Sequence, residues 1–283
     1  MAVSYFHAIA QGEIPPRPIW LPLLDELAAQ VEGCAVSTLL ADATRWANAM
    51  PRIAKLVEAR IIAVGFHNEH CLAAFAAFPD EPWQHDSLAA LLECTRRLAE
   101  TARPERELAV ALPGPARILR SLGLPLERAS LDRIKPGLVK LLEMVGACRP
   151  DLVVIDEAGA DLALLAGPDY RRICSTLKNV TEYFGIPLAL RVAGYDDGAA
   201  AIRGLRSLRL DHLLLGAPAT GNPAVAELLA AAAGLGWHSL GLPLDGEGGG
   251  SELPRSNPAA YWSSRGQETD LEQARKTGQT LAA

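Results

Sequence analysis

The sequence predicts an α/β fold, a single-domain (β/α)8 barrel of the TIM type, and three observations lead there. Short apolar runs alternate with helical patterns along the whole chain, as parallel strands joined by helical crossovers require. The central run, Leu152 to Ile155, is apolar at every position, which suits a strand covered on both faces. No composition break, linker or short repeat interrupts the 283 residues, so one domain over 1–283 is expected. Barrels of about 250 residues are single domains. Counting gives about seven strands, against the eight of a complete barrel.

Val3 to Gln11 reads as a short amphipathic helix leading into the Pro-rich IPPRPIW, with a first strand at Arg17 to Trp20. Leu23 to Val31 has helical spacing. Asp42 to Glu58 carries apolar residues at i, i+3, i+4 and i+7, and Pro51 inside it predicts a kink or a break. Arg60 to Phe66 is a strand whose exit holds the densest polar cluster, His67, Asn68, Glu69, His70 and Cys71. A helix over Ser87 to Thr101, capped by Asp86 or Ser87, precedes a strand at Glu107 to Leu112 and a Pro-Gly-Pro turn. Ser130 to Ala147 is helical with a kink expected at Pro136.

After the central strand come a helix at Asp169 to Phe184, stopped by Gly185, and a strand at Pro187 to Val192. Helices at Ala199 to Ser207 and Pro223 to Ala233 alternate with strands at Asp211 to Leu215 and Trp237 to Leu242. Asp245 to Ser256 is a Gly-rich loop expected to be mobile. Asn257 to Trp262 and Leu271 to Leu281 read as short closing helices.

Twenty-seven Lys and Arg against 33 Asp and Glu give a charge of −6 with no basic block, which argues against a nucleic-acid partner. Five scattered cysteines without a CxxC pair suggest reduced thiols and a cytoplasmic setting. No export signal or membrane span is evident. Cys34, Cys94, Cys148 and Cys174 read as structural thiols.

Function is expected at the carboxyl ends of the strands. Asp156 and Glu157 follow the central strand directly, as catalytic acids or as a solvated or helix-capping pair. His67 suits acid-base work near neutrality. Arg191, at the end of its strand, is placed either to bind a carboxylate or to pair internally with Asp156 or Glu157. Asn68, Glu69, Tyr195 and Trp20 complete a candidate substrate-binding set. A metal held by His67, His70 and Cys71 is a secondary option, since their spacing is no recognised ligand signature. His212 and His238 read as core or rim histidines. GEGGG in the late loop does not join a strand to a helix, unlike phosphate cradles.

Four segments together resemble the uroporphyrinogen decarboxylase superfamily: HAIAQGEIPPRPIW, MPRIAKLVEARIIAVGF, AVALPGPARIL and PDLVVIDEAGADLALLAGPDYRRI. That group of (β/α)8 barrels also contains corrinoid-linked, zinc-dependent methyltransferases acting on coenzyme M. The resemblance extends from about Ser4 to Gln273 and lies in order and spacing rather than in one motif. In the zinc enzymes a His-x-Cys follows the strand that here reads PLALRVAG, and a third ligand, Cys, lies ahead of the helix that here begins TDLEQA. Those positions fall on Arg191, Ala193 and near Ser263, none a soft ligand, so zinc is not expected. The decarboxylases carry an arginine motif after the first strand and an Asp at the exit of the second. This chain has WLPLLDEL and FHNEH there, with Arg17 ahead of the first strand and Asn68 in place of an acid.

The resemblance therefore implies zinc-independent methyl transfer that uses a folate, or a corrinoid carried by a partner protein. Asp156 or Glu157 would bond a pterin or protonate its departing nitrogen, His67 would assist, and Arg191 would hold an anionic group. Decarboxylation of a porphyrinogen or smaller acid, anchored by Arg191 with His67 as proton donor, is one alternative. A non-catalytic barrel binding a ligand or a corrinoid protein is the other.

Overall fold

The structure is a computed structural model that describes residues 4–14, 18–67, 69–102, 105–221, 224–235, 237, 239–244 and 259–282. His238, Arg17, Asn68 and the 245–256 loop lie outside them, as do the side chains of Glu69 and His70.

Eight parallel strands form one sheet rolled into a nearly closed barrel: β1 Trp20–Leu21, β2 Ile61–Val64, β3 Glu107–Pro113, β4 Leu152–Asp156, β5 Leu188–Val192, β6 His212–Leu215, β7 Ser239–Pro243 and β8 Ala259–Ser263. The order is β1-β8-β7-β6-β5-β4-β3-β2, so the sheet ends at β1 and β2. These two approach each other without sharing a ladder among the described residues, which leaves a seam.

Strand residues divide by alternation, as the pleat demands. Val153, Ile155, Val110, Leu112, Leu188 and Leu190 face outward into the helix layer. Leu152, Val154, Ala109, Ala111, Ala189 and Leu214 fill the barrel. The Tyr5–Ala10 helix contributes Phe6 and Ile9 to that inner cluster. Phe6 sits edge-on to Tyr261 at 5.7 Å and to His212 at 5.8 Å. His212 is a core histidine, as expected: its Nδ1 lies 2.5 Å from Ser239 Oγ, and burial lowers its pKa to about 4.

The structure corrects several expectations. The eighth strand is β8, where a closing helix was expected, and it pairs with both β7 and β1. Ala43–Leu56 and Arg128–Ala147 are each one unbroken helix despite Pro51 and Pro136. Proline removes a single N–H from the helical ladder, and in the first helix the buried Trp46, Met50 and Ile53 stripe holds the turns on either side against the core. The Asp86–Thr101 helix is capped by the His85 ring, which accepts from Ser87 N, rather than by Asp86 or Ser87. The polar run after β2 enters a helix, Glu69–Ala77. No described helix is long and apolar enough to cross a membrane.

Candidate active site at the carboxyl end of the barrel

Asp156 and Glu157 are adjacent, so they point to opposite sides of the sheet, and only Asp156 faces the barrel mouth. It is 1% exposed. Asp156 Oδ2 accepts from Arg117 Nη1 at 2.7 Å, and Oδ1 accepts from Arg191 Nη1 at 3.1 Å and Ala158 N at 3.2 Å. Arg191 Nη2 also donates to the carbonyl of Arg265 beyond β8, at 2.9 Å, and its guanidinium lies 5.8 Å from the centre of the Phe66 ring. Gly216, at the exit of β6, makes room for this group: a Cβ there would stand 2.9 Å from Arg191 Nη2. Of the two uses open to Arg191 in the sequence, the structure shows the internal pair.

Glu157 is no mouth residue, which corrects the expectation that either acid could serve there. Its carboxylate caps the Pro115–Ser121 helix, accepting from Ala116 N and Arg117 N at 2.8 Å each, and Tyr170 Oη donates to it at 2.8 Å. Gly114 permits this approach, since a Cβ there would fall 2.2 Å from Glu157 Cδ. Burial, outweighing these three donors, pushes the Glu157 pKa up to about 7. Two guanidinia thus share the carboxylate of Asp156, while the neighbouring acid is pushed toward its neutral form. Within this cluster positive charge is in excess, two guanidinia against one carboxylate, and Arg191 Nε has no hydrogen-bond partner among the described residues.

A second polar group stands at the seam. His67, following β2, has Nε2 3.4 Å from Glu26 Oε1, and Glu26 lies in the first turn of the Asp25–Val31 helix that follows β1. Beside Glu26, the fully buried Asp25 accepts from Trp46 Nε1 at 2.9 Å. Burial raises the Asp25 pKa to about 6, against the opposing effects of that hydrogen bond and of His67. Past β8, Ser264 Oγ donates to Glu268 Oε1 at 2.5 Å and accepts from Trp20 Nε1 at 3.2 Å. Burial raises the pKa of Glu268. Trp20 itself points out into the helix layer.

Tyr195 is 3% exposed, and its hydroxyl donates to the carbonyl of Gly216 at 3.1 Å. It packs the rim rather than lining the mouth. Cys71 is buried in the outer core, and no group of three or more His, Cys, Asp or Glu among the described residues could hold a metal. Hydrogen bonds therefore bring together Asp156, Arg191 and Arg117 at the mouth, while His67 stands at the seam with Glu26 and Asp25. Sequence reasoning missed Arg117, Asp25 and the Ser264–Glu268 pair, the last of which lies against Trp20 on the helix-layer side. Arg117 left one signal, a cation in the first turn of a helix, where the macrodipole disfavours it.

Zinc does not fit the matched positions. Arg191 there is a cation bonded to Asp156, Ala193 has no donor atom in its side chain, and Ser263 Oγ is turned to the carbonyl of Ser264 at 3.4 Å.

No family model matches the chain, and no curated protein matches it significantly. Among solved structures it is similar to a methyltransferase from Methanosarcina mazei, with a TM-score of 0.72 and 10% identity over 100% of both chains. It also aligns with 3-hexulose-6-phosphate synthase from Salmonella typhimurium, with a TM-score of 0.47 and 13% identity over 83% of this chain and 93% of that one. At these identities the first likeness concerns the fold alone.

Proposed function

We propose that the protein is a zinc-independent methyl-transfer enzyme acting at the barrel mouth on a small anionic substrate, with the methyl group delivered by a folate or by a corrinoid on a partner protein. One observation carries the reading. At the position matched to the zinc methyltransferases' histidine, the mouth holds a buried guanidinium, anchored on both sides by Asp156 and the Arg265 carbonyl. A fixed charge there replaces the electrostatic part of a metal's work, holding and polarising an anion. It cannot activate a thiol. The likeness to the Methanosarcina mazei methyltransferase over the whole chain supports the reading.

In this scheme Asp156 fixes the two largely buried arginines, and the small part of each side chain that stays accessible meets the anionic group. His67, partly exposed at the seam with Asp25 nearby, exchanges the proton that a departing carrier nitrogen needs. The test is titration of 5-methyltetrahydrofolate and methylcobalamin into the protein, together with Arg191→Gln. Binding of one carrier, with acceptor methylation lost in the variant, is expected. Failure to bind either carrier would remove the proposal.

The same excess charge favours one second reading, decarboxylation of a small acid held by Arg191. Release of labelled carbon dioxide without methyl transfer would decide for it.

A further inference from the structure

Seven large hydrophobic residues are markedly exposed among the described residues, and three of them, Val31, Leu56 and Leu271, line one groove of about 970 Å³. They come from three different helices, Asp25–Val31, Ala43–Leu56 and Leu271–Ala282. Three exposed apolar side chains gathered in one groove among polar neighbours differ from apolar residues scattered singly, which need no explanation.

The rim is basic in a protein whose charge is −6. Arg52, Lys55, Arg275 and Lys276 line it, against Glu58 and Glu272. Arg52 is paired with Glu32 at 2.7 Å and Lys276 with Glu272 at 3.7 Å. Lys55 and Arg275 make no ion pair among the described residues. Local charge opposite in sign to the whole selects an acidic partner and repels little of it at close range.

The lining side chains come from helices, Glu58 in a turn apart, and among the described residues of the groove there is no strand edge for an added strand to pair with. An amphipathic helix meets the groove on the right terms, setting apolar residues at i, i+3, i+4 and i+7 on the floor and acidic residues against the rim. From this we infer that the groove between Ala43–Leu56 and Leu271–Ala282 docks an acidic amphipathic helix of a partner protein. The inference is independent of the chemistry at the mouth.

The test uses a fluorescein-labelled 18-residue helical peptide with leucines at helical spacing and glutamates elsewhere, and a second with lysines in place of the glutamates. Anisotropy is followed against the full chain, against Lys55→Glu/Arg275→Glu and against Leu56→Ser/Leu271→Ser. All four positions are lining surface residues, and circular dichroism checks that each variant is folded. Binding of the acidic peptide alone is expected, weakened about tenfold or more by the charge reversal, by the serine pair and by raised salt. Equal binding of the two peptides, or binding of neither, overturns the inference. So does dimerisation of the protein by light scattering that the serine pair abolishes, because the groove would then belong to a second copy.

Discussion

Asp156→Ala removes the one acceptor that two buried guanidinia share. Arg117 and Arg191 keep 10% and 7% of their side-chain surface exposed, so water makes up little of the loss. The hydrogen bonds at 2.7 and 3.1 Å vanish together, and two like charges are left facing each other. Breaking a buried pair by deleting one partner costs about 3–5 kcal/mol, and here the deleted carboxylate serves two cations, although Arg191 keeps its bond to the Arg265 carbonyl. Read as a melting temperature, that is a fall of about 5–8 °C for a domain of this size. The assay is urea and thermal unfolding followed by circular dichroism at pH 7. A companion variant, Asp156→Leu/Arg117→Met/Arg191→Met, replaces all three charges by apolar groups and should recover most of the loss. A change below about 1 kcal/mol in Asp156→Ala would refute the reasoning, since surface substitutions lie within about 0.5 kcal/mol. No recovery in the triple variant would place the cost elsewhere than in the stranded charges.

Glu157→Gln should flatten the stability of the protein against pH. The Glu157 pKa is raised from 4.5 to about 7 in the fold, so its contribution is fully present below pH 4.5 and is lost as pH rises through 7. That shift corresponds to a fall of about 3 kcal/mol across this window, which Gln, unable to ionise, should abolish when unfolding is measured at pH 5 and pH 8. An unchanged slope would contradict the burial argument. Phe6→Ala empties the base of the barrel beside His212 and Tyr261 and should cost about 3–5 kcal/mol in the same urea assay. A loss under 1 kcal/mol would mean that the Tyr5–Ala10 helix does not plug the barrel.

The strands that were legible are those buried on both faces: Ile61–Val64, Leu152–Asp156 and Leu188–Val192 stand out as aliphatic runs, the second ending in Asp156 and the third interrupted only by Arg191. β8 was not legible because Ala-Ala-Tyr-Trp-Ser has helix-tolerant alanines and no aliphatic run. Its identity as a strand comes from two neighbours, one of them at the far end of the chain. At the site, Asp156 and Arg191 were found from their places at strand exits, and simple alternation would have excluded Glu157 from the mouth. Asp25 looked like any acid opening a helix, and only the fold brings Trp46 and His67 against it. The shared use of Asp156 by two arginines depends on β3 and β5 flanking β4, an order that no local pattern encodes.

Methyl transfer by the purified protein, measured by mass spectrometry with 5-methyltetrahydrofolate or methylcobalamin as donor and a panel of small anionic acceptors, tests the central claim most directly. Assays run with and without a strong zinc chelator. The account predicts equal turnover in both and its loss in Arg191→Gln. Turnover that the chelator abolishes and added zinc restores, or that survives Arg191→Gln unchanged, would contradict it.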